Sequence, residues 1–383
     1  MSVTAAQGFR AAGVIAGLKA SGRPDVALVV NDGPSRAAAG VFTRNRVVAA
    51  AVPWSKQVLA DGQVQVVVLN SGGANAFTGP QGFLDVHTTA ERAAAVTGAS
   101  AADVAVCQTG LIGVPLPMPL LLAGVDAAAQ ALSVDGGPAA AEAIMTTDSV
   151  RKQAVVTGEG WTVGGMAKGA GMIAPALATM LVVITTDAVA EPAVLDRVLR
   201  AATAVTFDRV DVDGCISTND TVLLLASGAS RIAPEEAELA AAVHSVCAQL
   251  AGQIVADAEG ASKQVRVDVI HAHDEADALA VARAVARNAL VKCALAGSDP
   301  NWGRVAAAVG STDAAFDPDH LDIAMNGVWV CRDSGPAADP STADLSARDV
   351  TVTIDLRAGD ASGWVWTTDL TEAYVHENSA YST

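Results

Sequence analysis

Apolar residues along this chain occur in two patterns, and each pattern predicts a different element. Runs of mostly apolar residues cover positions 26–30, 64–69 and 180–186. Such runs favour strands buried on both faces, because a strand with one face in water would alternate apolar and polar residues. Between Leu239 and Ile254 an apolar residue recurs every three or four positions, which indicates an amphipathic helix. The mixture of the two patterns predicts an α/β fold.

The same patterns predict the other elements. We expect helices over residues 88–97, 119–132, 187–202, 234–256 and 275–295, and strands over residues 266–270, 350–356 and 363–367, with a further strand that begins at Val104 and ends at a Thr-Gly step. The polar and aromatic residues at the end of the chain would fray by default. A chain of 383 residues suffices for two or three domains, or for two halves of one large fold.

Composition narrows the classes of partner. The net charge of −17 argues against nucleic acid and anionic membranes, because both would repel the protein at long range. The apolar runs are much shorter than the roughly 20 residues needed to cross a bilayer. The five cysteines match neither a disulfide framework nor a zinc-site spacing, so we expect reduced cysteines and a cytoplasmic location.

The middle of the chain holds a threonine at the entrance to a strand. Four glycines, among them Gly164 and Gly165, are expected to loosen the backbone, and Pro175 interrupts helix and sheet pairing. Thr179 follows where the loop enters the strand predicted over residues 180–186. Threonine is common in strands, so the residue pattern alone does not identify a nucleophile.

The run Lys-Gly-x-Gly-Met-Ile-x-Pro-x-x-Ala-Thr-Met-Leu that begins at Lys168 resembles the self-processing segment of the ornithine acetyltransferase family of arginine biosynthesis. Members of that family cut their own chain at the Ala-Thr bond, and the new amino-terminal threonine is the nucleophile. The resemblance implies a cut between Ala178 and Thr179, which gives an alpha segment of residues 1–178 and a beta segment of residues 179–383. A free α-amine has a reference pKa of about 7.7 to 8.0 and can take the proton of its own hydroxyl. No histidine is then required.

Two further residues have a candidate catalytic role. Thr109 and Gly110 follow a short strand, where a hydroxyl and backbone amides can stabilise an oxyanion, although a structural turn explains the same residues. The segment resembles the oxyanion pair of the family, and the resemblance assigns that role to Thr109 and Gly110.

The resemblance, which extends from Gly8 to Thr383, also implies a set of substrate-binding residues. For Thr147 a helix N-cap is the alternative, and for Lys168 a solvated side chain. Glu259 follows a predicted helix, where the macrodipole disfavours an acid, and its carboxylate suits the side-chain ammonium of ornithine. The implied substrate contacts are Thr147, Lys168, Thr179, Glu259, Asn378 and Thr383.

Other polar clusters receive no catalytic role. The sequence His271-Ala-His273-Asp274 contains metal-ligand residue types, but we expect it to end a strand and cap the next helix, and we predict no metal. The acidic run of residues 208–214 lacks the spacing of a calcium loop. The glycine-rich loop of residues 70–75 and the segment 298–304, where Trp302 suggests a rigid turn, match the family without an assigned task.

The resemblance implies a ping-pong acetyl transfer without a cofactor. N-acetylornithine gives its acetyl group to Thr179, ornithine leaves, and glutamate takes the acetyl group. Some relatives also accept acetyl-coenzyme A, and the sequence does not tell which type this chain is. The resemblance further implies that both segments contribute strands to one layered structure and assemble as a heterotetramer with two copies of each segment.

Two other functions stay open at this point. A self-cutting amidohydrolase or aminopeptidase would use the same threonine, because a hydrolase differs from a transferase in whether water reaches the ester before the acceptor. An uncut, non-enzymatic α/β binding protein is the second alternative.

Overall fold

The computed structural model describes residues 2–174 and 180–380. These residues form two compact units. Unit 1 comprises residues 2–208 and 215–257, and unit 2 comprises residues 209–214 and 258–380. Both units combine helices with sheets, so the predicted α/β class is confirmed.

Unit 1 contains the longer series of elements. In chain order these are β1 (Phe9–Val14), β2 (Val26–Asn31), β3 (Ala38–Phe42), α1 (Ala51–Val58), β4 (Val66–Ser71), α2 (Gly79–Thr97), β5 (Val104–Thr109), α3 (Met118–Gln130), α4 (Gly137–Ala143), β6 (Lys152–Thr157), β7 (Thr162–Lys168), β8 (Leu181–Thr186), α5 (Pro192–Ala204), β9 (Thr221–Ala226) and α6 (Glu236–Ala256).

The strands of unit 1 form two stacked sheets, with the orders β1-β2-β4-β5 and β3-β9-β8-β7-β6. The facing surfaces share one apolar core, in which Val29 and Leu69 of the first sheet pack with Met166, Val183 and Leu223 of the second. Helices α2 and α3 cover the outer face of the first sheet. Helices α5 and α6 pack against the second sheet. This gives a layered sandwich in which every sheet face is covered.

The second sheet takes strands from both predicted segments. Strands β3, β6 and β7 precede residue 178, whereas β8 and β9 follow it. Within the sheet, β8 pairs antiparallel with β7 and parallel with β9. The prediction that both segments contribute strands to one layered structure is therefore confirmed.

The mostly apolar runs form buried strands, as predicted. Every residue of β2, β4 and β8 is buried. The prediction that glycines loosen the backbone upstream is wrong for Gly164 and Gly165, which lie inside β7. A Cβ at Gly164 would approach the backbone oxygen of Ser2 to 2.2 Å, and a Cβ at Gly165 would approach Val246 of α6 to 2.9 Å. These glycines allow neighbouring elements to pack closely.

Several helices differ from their predicted bounds. Helix α2 begins at Gly79, well before the predicted start, and α5 begins only at Pro192, which suits a first helical position. The helix predicted over residues 275–295 is two helices, because Asn288 adopts an extended conformation (φ −73°, ψ 112°) between them. Its side-chain oxygen accepts hydrogen bonds from the amides of Leu290 and Val291, both at 3.1 Å. Asn288 is thus the N-cap of a new helix.

Helix α6 is apolar and long enough, by length and composition alone, to cross a membrane. Its apolar stripe, which includes Leu239, Val246 and Ile254, is buried within unit 1. The pattern is that of a core helix lying on a sheet.

Unit 2 is built on a single mixed sheet with helices. The elements are β10 (Gln264–Ala272), α7 (Glu275–Arg287), α8 (Ala289–Ala296), α9 (Trp302–Val309), β11 (Asp322–Met325), β12 (Val328–Arg332), β13 (Gly335–Pro336), β14 (Asp349–Asp355), β15 (Ala361–Thr368) and α10 (Glu372–Ser379). The order of strands in the sheet is β13-β12-β11-β14-β10-β15. Strand β10 pairs parallel with β14 and antiparallel with β15. Its core joins Val267 and Ile354 of the sheet to Val285 and Val305 of the helices.

One expectation for unit 2 is wrong, and a second is met. The sequence predicted a rigid turn at Trp302, but Trp302 is the first residue of α9. Asn301 caps that helix by accepting a hydrogen bond from the Arg304 amide. Chain ends fray by default, but the family resemblance implies substrate contacts here, and residues 372–379 form α10. Thr371 caps α10, and its hydroxyl also donates to the Gly260 oxygen at 2.6 Å.

The break at Asn288 leads to a test. Replacing Asn288 with alanine removes the acceptor for two α8 amides, and we expect the free energy of unfolding to fall by about 1 kcal/mol. Thermal and urea unfolding monitored by circular dichroism would measure it. Asn288→Asp keeps a side-chain acceptor and should stay close to wild type. Equal losses in the two variants would contradict the capping role.

Candidate active site

The end of β5 presents a buried hydroxyl with no partner. Strands β4 and β5 run parallel, so that Ser71 lies opposite Thr109. Thr109 is fully buried, and its hydroxyl oxygen has no hydrogen-bond partner within residues 2–174 and 180–380. Leaving such a group unpaired costs about 1–3 kcal/mol. An unpaired hydroxyl at a strand end favours a group that meets a ligand.

Gly110 adjoins this hydroxyl, and its backbone excludes other residue types. Its φ is +126°, in the region that favours glycine. A Cβ there would lie 2.5 Å from the Gly73 nitrogen and 2.7 Å from the Gly72 carbonyl carbon. The segment is therefore a tight, closely packed backbone turn.

The loop of residues 70–75 has a structural task that the sequence did not indicate. The Gly73 amide donates to the Thr109 oxygen at 2.9 Å, and the Ala74 amide donates to the Leu111 oxygen at 3.0 Å. The Asn75 side chain donates to Oε1 of Gln108 at 2.9 Å. The loop thus holds the backbone on both sides of Gly110.

A second set of buried polar groups lies just before β9. The Asn219 side chain donates to the Gln108 backbone oxygen, which joins this segment to the end of β5. Thr218 Oγ1, Gln108 Nε2 and Asp220 Oδ2 are buried and, like the Thr109 hydroxyl, lack a partner in the described part of the chain. Buried polar groups are nearly always paired. Four unpaired atoms in neighbouring segments indicate a site that receives polar groups.

Lys168 is the last residue of β7 and lies opposite Leu181 at the start of β8. The residue is buried, so the alternative of a solvated lysine is wrong. Together with Lys152 it acts on the buried Asp148. Burial alone would raise the pKa of Asp148, but the charges of Lys168 and Lys152 and the Gly169 amide outweigh burial and lower that pKa to about 2.

Thr147 precedes Asp148 and is half-buried. It follows α4 in a bend, so the alternative of a helix N-cap is wrong. A neighbour that the sequence did not single out is Lys19, whose ammonium donates to the Met145 oxygen at 2.8 Å. Burial lowers the pKa of Lys19 to about 8, and the charges of Asp148 and Lys168 also act on it. Lys19 is far from Thr147 in the sequence, and folding brings it to the neighbouring Met145.

Unit 2 brings together two of the predicted substrate-binding residues. Glu259 is buried beyond the end of α6, and its Oε2 accepts a hydrogen bond of 2.9 Å from the amide of Asn378 in α10. A Cβ at Gly260 would lie 2.2 Å from the Tyr374 nitrogen. Residue 260 must be small because α10 packs directly against it.

Three predicted residues lie outside the described part of the chain: Ala178, Thr179 and Thr383. The first residue described after the predicted cut is Met180, whose amide donates to Asp220 Oδ1 at 3.2 Å.

The predicted helix cap at Asp274 is confirmed, because its side chain accepts from the Asp277 amide at 2.9 Å. Ligand atoms of His273, Asp274 and Asp277 lie within 4.8 Å of one another. Both carboxylates already accept backbone amides, Asp277 from Ala315 at 3.0 Å. The absence of a metal stays a prediction.

Comparison with known proteins gives a consistent result. The model of the ArgJ family matches residues 10–383. The arginine biosynthesis bifunctional protein ArgJ of Streptomyces coelicolor is 64% identical over 382 residues, which cover 100% of each chain. The crystal structure of the Bacillus halodurans protein described by the same words is 35% identical, with a TM-score of 0.50, and covers 52% of this chain and 98% of its own. A Mycobacterium tuberculosis ornithine acetyltransferase, solved in complex with ornithine, is 56% identical, with a TM-score of 0.45, over 47% of this chain and 96% of its own.

The buried charges of unit 1 give a stability test. Lys152 donates to Asp148 and to Asp257, both at 2.6 Å. Lys152→Met leaves these carboxylates without their shared cation, and we expect the free energy of unfolding at neutral pH to fall by about 3–5 kcal/mol. Lys56→Met, at an exposed lysine of α1, should change it by no more than about 0.5 kcal/mol. Urea unfolding measures both, and similar small losses would contradict the role given to the buried pair.

Proposed function

The chain belongs to the ArgJ family, and we propose that it is a self-processing acetyltransferase of arginine biosynthesis that moves an acetyl group from N-acetylornithine to glutamate. The observation that carries this proposal is the buried, unpaired hydroxyl of Thr109 next to Gly110. Acyl transfer needs hydrogen-bond donors that are already in place when the oxyanion forms. A buried hydroxyl without a partner meets this need without reorganisation.

The proposed reaction begins with a cut between Ala178 and Thr179. The new α-amine of Thr179 takes the proton of the Thr179 hydroxyl, whose oxygen attacks the acetyl carbonyl of N-acetylornithine. The Thr109 hydroxyl and the Gly110 amide hold the oxyanion. The C–N bond breaks, ornithine leaves with the proton on its amine, and an acetyl-threonine ester remains. The amine of glutamate then attacks the ester, which yields N-acetylglutamate and restores Thr179.

The remaining predicted residues bind the amino-acid part of each substrate in this proposal. The Glu259 carboxylate attracts the side-chain ammonium of ornithine, and its hydrogen bond from Asn378 supports that geometry. Lys168 and Thr147 serve the substrate carboxylate, and Thr383 completes the set. We further propose a cytoplasmic heterotetramer with two copies of each segment, which needs no metal or organic cofactor. Acetyl-coenzyme A is tested as a second donor by using it in place of N-acetylornithine in the transfer assay.

Self-cutting and transfer are tested first at Thr179. We expect purified wild-type protein to give two masses that match residues 1–178 and 179–383, whereas Thr179→Ala gives one chain and no transfer, because the nucleophile is missing. Intact mass spectrometry and an N-acetylornithine assay with and without glutamate measure both. Acetate released equally in both assays would identify a hydrolase, and an uncut, inactive wild type would favour a binding protein.

A second test separates stability from activity. Thr109→Val removes a hydroxyl that has no described partner, so the unfolding temperature should stay the same or rise, while kcat should fall by about 10²–10³-fold. The matched control is Thr185→Val, because the equally buried Thr185 hydroxyl donates to the Val3 oxygen at 2.7 Å. That variant should be less stable but keep its kcat. A Thr109→Val enzyme with wild-type kcat would remove the observation that carries the proposal.

A further inference from the structure

Self-cutting poses a chemical problem that acetyl transfer does not. In the mature protein the free α-amine of Thr179 accepts the hydroxyl proton. In the uncut chain that nitrogen belongs to the Ala178–Thr179 peptide bond, and a peptide nitrogen is not a base at neutral pH. Some other group must take the proton from the hydroxyl and return one to the departing nitrogen.

Asp220 is tied to the residue that follows Thr179. Strands β8 and β9 are parallel with Leu181 opposite Thr221, so the residues just before the two strands lie side by side. The Thr221 amide donates to the Met180 oxygen at 3.1 Å, and the Met180 amide donates to Asp220 Oδ1 at 3.2 Å. The Met180 nitrogen is bonded to the carbonyl carbon of Thr179, so this hydrogen bond ties Asp220 to the residue next to the predicted cut.

The second oxygen of this carboxyl is uncommitted. Asp220 has no exposed surface, and its Oδ2 lacks a hydrogen-bond partner among residues 2–174 and 180–380. A purely structural carboxylate in a buried position normally has both oxygens paired. A matched example lies at the other end of β8, where Asp187 accepts the Gln7 amide at 2.9 Å on one oxygen and the Thr162 amide at 2.7 Å on the other.

The surroundings of Asp220 perturb the pKa of its carboxyl. Burial raises the pKa of Asp220 well above its ordinary range. The Met180 amide, the nearby hydroxyls of Ser217 and Thr43, and the charge of Lys168 act in the opposite direction. These two hydroxyls donate their hydrogen bonds to other oxygens, Ser217 to the Asn219 side chain and Thr43 to the Ser217 backbone. A carboxyl with a raised pKa is a stronger base when ionised and a ready acid when protonated.

We propose that Asp220 is the proton acceptor and donor for self-cutting at the Ala178–Thr179 bond, an inference that rests on the function proposed above. The Asp220 carboxylate takes the proton of the Thr179 hydroxyl as that oxygen bonds to the Ala178 carbonyl carbon. The C–N bond then breaks, and the nitrogen receives the proton from the Asp220 carboxylic acid. An ester remains, and water hydrolyses it to the Ala178 carboxyl and the restored Thr179 hydroxyl.

The test compares the rates of self-cutting after cell-free synthesis of the full chain. Asp220→Asn keeps an oxygen that can accept from the Met180 amide but removes the proton acceptor. We expect the uncut chain to persist, with cutting at least about 100-fold slower than in wild type, since general acid–base catalysis contributes about 10²–10⁴-fold. Time-resolved intact mass measures cutting independently of acetyl transfer. A folded Asp220→Asn chain that is cut at the wild-type rate overturns the inference.

Two further variants separate chemistry from structure. Asp187→Asn makes the same substitution at the other end of β8 and should be cut at the wild-type rate. Asp220→Ala leaves space for a small carboxylate, and we expect formate, but not chloride at equal ionic strength, to restore its cutting. Folded Asp220→Ala that formate does not rescue would contradict a direct role in proton transfer. A wild-type chain that is cut but transfers no acetyl group would refute the proposed function and leave the role of Asp220 standing.

Discussion

The pairing of β8 with its two neighbours is the interaction on which the candidate site depends. Strand β7 brings Lys168 to the start of β8, and the parallel strand β9 brings Asp220 to the same end of β8. Strand β9 comes from a stretch well separated from β7 and β8 along the chain, and hydrogen bonds within one sheet fix the register of all three. A shift of one residue in β8 would exchange its two buried faces. The position of Met180 therefore follows from the whole sheet rather than from its own loop.

Apolar patterning predicts the fold only where a segment is buried evenly. The runs that became β2, β4 and β8 are recognisable because all their residues are buried. Strand β7 was not predicted, because glycines such as Gly164 and Gly165 are typical of loops. Their packing role depends on the close approach of Ser2 and α6, which the sequence does not show. The break at Asn288 was missed because alanine-rich periodicity continues across it, and only the cap contacts reveal the new helix.

The sequence predicted only those residues of the candidate site that lie within recognisable local motifs. The Thr109–Gly110 step was predicted through family resemblance, as were Glu259 and Asn378 as separate substrate contacts. The structure adds an unpaired hydroxyl at Thr109 and a 2.9 Å hydrogen bond that joins Glu259 to Asn378. Lys19 and Asp220 were missed because neither belongs to a recognisable motif. Their positions depend on contacts with residues far away in the sequence, and local pattern carries no information about such contacts.

The position of the predicted cut between β7 and β8 has a consequence for refolding. These strands are joined by continuous pairing from Val163–Thr186 to Lys168–Leu181. Before the cut, forming this pairing is a step within one molecule. After the cut, the same pairing joins two molecules, so its formation after denaturation depends on concentration and carries the entropy cost of association. The cut protein would therefore refold poorly once it had unfolded. The lifetime of its native state would depend on slow unfolding rather than on repeated refolding.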